Sequence, residues 1–164
     1  MLTERQLGWL AGIWDGEGSI TVFKYAEKNG AIKYCPTICA VNTDLTIINE
    51  VQKLADLLGI NFHLMERKIP KSKRDKHSIS YQLITRKMSY IKKFLEIITP
   101  YLISKKAQAE LVLRFVNKRL AKLEINKGSN AKSRYSEDEI EISKNIRELN
   151  KRGPNSPTTT SSTL

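Results

Sequence analysis

The feature that most constrains this chain is a short helix, bare on one face, that runs into an acidic loop bounded by glycines. Leu7, Leu10, Ala11 and Trp14 recur at helical spacing, while Gly8 and Gly12 lie one turn apart beside them. A glycine inside a helix costs about 1 kcal/mol relative to alanine, so two of them in so short a helix ask for a packing reason. Small residues at that spacing let another backbone approach closely. Thr3 with Gln6 has the capping-box pattern that opens a helix. Gly16 and Gly18 predict its end within Asp15–Gly18.

Beyond that loop the periodicity changes. Residues 19–25 alternate as a strand, Asn29-Gly30 is a hairpin signal, and a second strand is expected over 33–41. Asp44 caps a helix expected over 45–58, stopped by Gly59. A second strand pair is expected over 62–69 and 78–85, then helices over 89–98, 105–123 and 137–151. The expected architecture is α+β: an α-β-β-α-β-β-α domain with a four-stranded antiparallel sheet and helices on one face. The domain is expected to span 1–125, followed by an accessory basic connector and C-terminal helix over 126–152. A Pro/Ser/Thr-rich tail over 153–164 is expected to be disordered.

Charge narrows the partner. The chain carries a formal +11 with 28 Lys and Arg, an excess that points to a polyanion such as nucleic acid. It concentrates between His63 and Lys87, where eight cationic residues face only Glu66 and Asp75. Lys118, Arg119, Lys122, Lys127, Lys132 and Arg134 form a further basic stretch, either a set of phosphate contacts or a solvated connector. Cys35 and Cys39 lack CxxC spacing and a neighbouring histidine, which argues against zinc and for free, buried thiols in a reducing, intracellular setting. No secretory leader is expected, since Glu4 and Arg5 precede any apolar run, and no run approaches the ~20 residues of a membrane span.

Leu10-Ala11-Gly12-Ile13-Trp14-Asp15-Gly16-Glu17-Gly18 resembles the nine-residue signature of the LAGLIDADG homing endonucleases. It keeps the Leu-Ala-Gly start, both acidic positions and the final glycine, and it leads from a helix straight into a strand. Only one copy is present, which resembles the homodimeric branch. The resemblance covers roughly residues 3 to 123 through element order. It implies a curved DNA-binding sheet and an intron-encoded, site-specific endonuclease. Such an enzyme would cut one phosphodiester per strand across the minor groove of a long pseudo-palindromic site, leaving short 3′ overhangs. By the same resemblance Glu17 is the metal ligand, where familiar members carry aspartate, and the Gly16 carbonyl is a second ligand. Asp15 matches the first acid, in a supporting role at the helix junction. Lys105, in Ile103-Ser104-Lys105-Lys106, matches a basic residue near the active site. Thr43 is a weaker match for a polar residue after the second strand, because Thr43 and Asp44 also suit helix capping.

Physical reasoning agrees with this picture. Two bare helix faces at Gly8, Ala11 and Gly12 can pack about a two-fold axis and bring two acidic loops together. Carboxylate and carbonyl oxygens suit Mg²⁺, with Mn²⁺ an alternative; the family resemblance implies that Ca²⁺ could occupy the site without supporting cleavage. A strand of ~8 residues at ~3.4 Å spans about eight base pairs of duplex DNA. Lys24, Lys28, Lys33, Tyr34, Arg67, Arg74 and Arg86 are the expected DNA readers, and Lys71, Lys73 and Lys76 the expected phosphate contacts. A one-residue register error would invert every face assignment. The rival reading is an RNA maturase on the same fold, which needs a basic surface but not two acids; a regulator that has lost its catalytic centre, or a structural RNA-binding protein, explains the acidic loop still less well. The host could be archaeal, bacterial, mitochondrial or chloroplast.

Overall fold

A computed structural model of the chain describes residues 2–67, 79–125 and 135–151. Helix α1 (Glu4–Glu17) opens with the expected capping box, the Thr3 side chain accepting from the Gln6 N–H and the Gln6 side chain answering it. Strands β1 (Gly18–Ala26) and β2 (Ile32–Asn42) follow, then helix α2 (Leu45–Leu57), strands β3 (His63–Arg67) and β4 (Ser80–Thr85), and helix α3 (Met88–Ile98). A 3₁₀ turn (Thr99–Tyr101) leads to helix α4 (Lys106–Ile125), and helix α5 (Glu137–Leu149) comes last. The β1–β2 connection is longer than a two-residue hairpin, running from Glu27 to Ala31 with Gly30 in the left-handed region at φ 79°. Asp44 caps α2 as expected, accepting from the Thr46 N–H at 2.8 Å.

The four strands form one antiparallel sheet in the order β1-β2-β4-β3. Its register pairs Gly18 with Ala40, Ile20 with Ile38, Val22 with Pro36 and Ala40 with Leu83. Directly opposed residues share a face, so these positions form the inner side, and Ile20, Ile38, Ala40 and Leu83 are buried there beneath the helices. Pro36 lies beyond the end of the β4 ladder at Ile38. There β2 has an open edge, where a missing N–H is tolerated. The core under α1 is an aromatic triad: Trp14 lies 4.5 Å from Phe94 and 5.6 Å from Phe62, ring centre to ring centre.

Helix α5 is laid on the same core, burying Ile142 and Ile146 against α4 and β1. Its mostly charged sequence gave no such signal. The docking is electrostatic as well as apolar. Fully buried Glu139 accepts from the Lys122 ammonium at 2.6 Å and from the Ser136 N–H at 2.6 Å, with Arg119 3.7 Å away. Asp138 pairs with Arg114 at 2.6 Å and Lys118 at 2.8 Å. Arg119 also covers the Tyr135 ring. The basic face of α4, one of whose readings was a set of phosphate contacts, therefore spends Lys118, Arg119 and Lys122 on holding α5. Lys127, Lys132, Arg134 and the tail lie outside the described residues.

Two stability predictions follow from this packing. A Cβ at Gly18 would stand 2.6 Å from the Trp14 carbonyl oxygen and 2.7 Å from its Cα. Gly18→Ala must therefore shift backbone, and chemical denaturation should show a loss of about 2 kcal/mol or more. Burial raises the Glu139 carboxyl pKa, but Lys122 and Ser136 outweigh it and hold the group below its ordinary 4.5. Its contribution is thus present above that pH and fades as the pH falls through the lowered value. Glu139→Gln should cost about 1–3 kcal/mol at pH 7 and flatten the acid limb of the stability curve.

Candidate active site

The site grows from the last turn of α1. The carbonyls of a final helical turn have no intrahelical partner, so they must be capped or left available. Gly18 N–H donates to the Trp14 carbonyl and closes the helix. The next carbonyl, that of Asp15, accepts from the Lys105 ammonium and, at 3.5 Å, from the Ser104 hydroxyl. A cation at a helix C-terminus is favourably placed in the field of the helix. The carbonyl of Gly16 comes next, on an exposed residue, and the exposed Glu17 carboxylate follows at the helix end. Lys105 itself is buried.

The two acids have separate jobs. The Asp15 carboxylate turns inward to the start of α4, where it accepts from the Ile103 N–H at 2.7 Å, the Lys105 N–H at 2.9 Å and the Ser104 hydroxyl at 3.0 Å. Burial raises its pKa, but the N–H groups of Ile103 and Lys105 and the Ser104 hydroxyl overcome that and set it below the ordinary 3.8. Asp15 is a brace that fixes Lys105 against the end of α1. Ser104, which sequence reasoning did not single out, shares that brace; its only signal was its place beside Lys105. Glu17 faces outward.

Thr43 reaches the same end of the sheet, because pairing Gly18 with Ala40 sets the start of β1 beside the end of β2. The local turn is held by others: the Asn42 side chain accepts from the Asp44 N–H at 2.8 Å, and Asp44 caps α2. Thr43 is exposed. Among the described residues no cluster of three His, Cys, Asp or Glu side chains could hold a metal. What one chain offers is a carboxylate and a carbonyl, which fits a magnesium-type ion that takes one or two carboxylates with phosphate and water.

The face of α1 opposite the core is open. A Cβ built at Gly8, Gly12 or Gly16 meets nothing within 4 Å, and Trp9 and Gly12 are exposed along the same stripe. Ala11, expected on that bare face, is instead fully buried in the core.

The sheet's outer side holds the expected readers unevenly. Lys24 pairs with Tyr34 on the inner, helix-covered side. Tyr34 packs edge-on against Tyr135 at 4.7 Å, and the Tyr135 hydroxyl accepts from the Tyr34 N–H at 3.1 Å, so this ring does not face a groove. The register thus reverses the face expected of Lys24 and Tyr34. Lys33 is on the outer side but pairs with Glu27. Lys28 is exposed in the turn, and Arg67 and Arg86 are exposed on or beside the outer face. Lys71, Lys73, Arg74 and Lys76 lie outside the described residues. The same register places Phe23, Tyr25, Cys35 and Met65 on the outer side, residues the charge count passed over.

The division of labour between the acids is testable by stability alone. Asp15→Asn, which leaves at least one N–H of the α4 start poorly matched, should cost about 1–3 kcal/mol in denaturant unfolding. Glu17→Gln should stay within about 0.5 kcal/mol of the unaltered protein.

Comparison with known proteins agrees with this geometry. The homing endonuclease I-CvuI, solved with an I-CreI target in the presence of Mg, is 20% identical, with 88% of this chain and 96% of that chain covered at a TM-score of 0.55. The archaeal intron-encoded homing endonuclease I-Vdi141I, complexed with DNA, is 19% identical over 89% of this chain and 97% of its own, with a TM-score of 0.55. The meganuclease I-SmaMI, bound to uncleavable DNA, reaches a TM-score of 0.62 at 14% identity, this chain matching 90% of itself but 45% of that chain. No curated protein matches by sequence. No helix among the described residues is long and apolar enough to cross a membrane. The family model of the LAGLIDADG-like domain matches residues 4–99, and with the helix–acid–strand junction and the four-stranded sheet in place, this chain belongs to that family.

Proposed function

We propose that the protein is a divalent-metal-dependent, site-specific DNA endonuclease that works as a homodimer. The observation that carries this reading is the end of α1: an outward carboxylate and a helix-end carbonyl, locked in place by Asp15, beside a helix face bare enough for a second copy. Two copies packed through Gly8 and Gly12 place two Glu17 carboxylates about the axis, one for each DNA strand. Glu17 and the Gly16 carbonyl hold the ion, Mg²⁺ or Mn²⁺. When bound, such an ion polarises a phosphoryl oxygen and supports an attacking water and the leaving oxygen. Lys105 supplies positive charge beside that phosphate, Asp15 and Ser104 position it, and Thr43 stands where it can order water at the same end of the sheet. The outer face of the sheet lies along the major groove, and its charge complements the duplex.

The full reading is cleavage of one phosphodiester per strand in a long pseudo-palindromic site, giving short 3′ overhangs. Free Cys35 and Cys39 accord with work in a reducing compartment. A maturase would need the basic surface alone, and nothing in that role calls for the outward Glu17.

The test is a cleavage selection on a duplex library with Mg²⁺, comparing the unaltered protein with Glu17→Gln. The expected result is cutting of a near-palindromic site by the first, and binding without detectable cutting by the second. Binding of structured RNA by both, with no duplex cut by either, would overturn the assignment.

A further inference from the structure

The outer face of the sheet holds a feature that the charge pattern does not explain. Phe23 is 53% exposed and Tyr25 47% exposed, both on the outer side of β1. They line one hollow with Cys35 and Arg86. Phe23 lies directly opposite Cys35, and Arg86 follows Thr85, the partner of Ile38, so the hollow crosses from β1 over β2 to the end of β4. Two large rings left in water on a strand cost free energy unless something covers them. Among the described residues, the core under the helices lies on the opposite side of the sheet, at Ile20, Ile38, Ala40 and Leu83.

The rim identifies the occupant. Among the described residues Arg86 has no carboxylate within ion-pair distance, whereas Lys33, one strand away, is already paired with Glu27. A guanidinium beside an apolar floor, on the outer sheet of a chain carrying +11, is complementary to a ligand that offers hydrogen-bond acceptors next to an apolar projection, on a polyanion. The major-groove edge of a base pair has that form: thymine offers a 5-methyl group, and guanine offers O6 and N7 to an arginine.

Resting on the nuclease reading above, we infer that Phe23 and Tyr25 form a thymine-methyl platform and that Arg86 reads a guanine in the neighbouring base pair. The place in the target follows from the chain. Phe23 stands six residues after Glu17 along β1, and ~3.3 Å per residue puts it about 20 Å from the acidic loop. At ~3.4 Å per base pair, that is roughly five to six pairs outward from the cut in each half-site.

The experiment replaces thymine by uracil, one position at a time, in the duplex recovered from the cleavage selection. Binding is read with Glu17→Gln protein, so cutting does not enter. Loss of the methyl at the fifth or sixth pair should weaken binding roughly fivefold or more. That penalty should vanish in Phe23→Ser on the same background, while Arg86→Ala should relax the adjacent guanine preference. Duplex binding that is indifferent to uracil at those positions, or a penalty that persists in Phe23→Ser, overturns this inference and leaves the nuclease reading standing. Absence of any duplex binding or cutting overturns both. The uracil scan uses an unaltered sheet, so a folding defect in Phe23→Ser cannot mask the outcome.

Discussion

Everything at this site depends on how the last turn of α1 is clamped. Trp14 anchors it from below in the aromatic triad, Gly18 lets β1 leave against the Trp14 backbone, and Asp15 ties it sideways to the start of α4. With three constraints on one turn, the direction of Glu17 is a property of the fold and not of a flexible loop. The arrangement also explains why one acid can be sacrificed to structure. Asp15 has its hydrogen bonds filled by the protein itself, whereas Glu17 is exposed.

The electrostatics are partitioned in the same way. A chain with a formal +11 looks uniformly basic, yet Arg114, Lys118, Arg119 and Lys122 of α4 are paired internally with Asp138 and Glu139. On the outer sheet, Arg67 and Arg86 are exposed and have no ion-pair partner among the described residues. Charge on one face and helices on the other give the sheet a direction, and polyanion binding on that side leaves the core undisturbed.

Much of this was legible in the residues. The capping box at Thr3, the Asp44 cap, the stop at Gly18 and the order of helices and strands are local chemistry, and they read directly. Gly8 and Gly12 announced a bare helix face because helical spacing is a local property. What did not read out was non-local. Lys24 and Tyr34 were assigned to the outer side, but face depends on register, and register is set by the pairing of Gly18 with Ala40. The role of α5 was hidden for a similar reason: Glu137, Asp138 and Glu139 look like solvated first-turn acids, and only the packed structure buries Glu139 among α4 cations. Asp15 reads as a supporting residue at the helix junction, but the groups it would hold were not legible, because they lie 88 residues away in the chain.

If the bare face of α1 is the seam between two copies, as proposed, it brings two Glu17 carboxylates to one axis. The most direct measurement is cross-linking of Gly12→Cys in a chain also carrying Cys35→Ser and Cys39→Ser. Among the described residues nothing lies within 4 Å of a Cβ at position 12, so the new thiol has room. Under mild oxidation a covalent dimer that still binds duplex DNA is expected on a non-reducing gel. A chain that stays monomeric, with the thiol at position 12 freely alkylated at every protein concentration and in the presence of DNA, would contradict it.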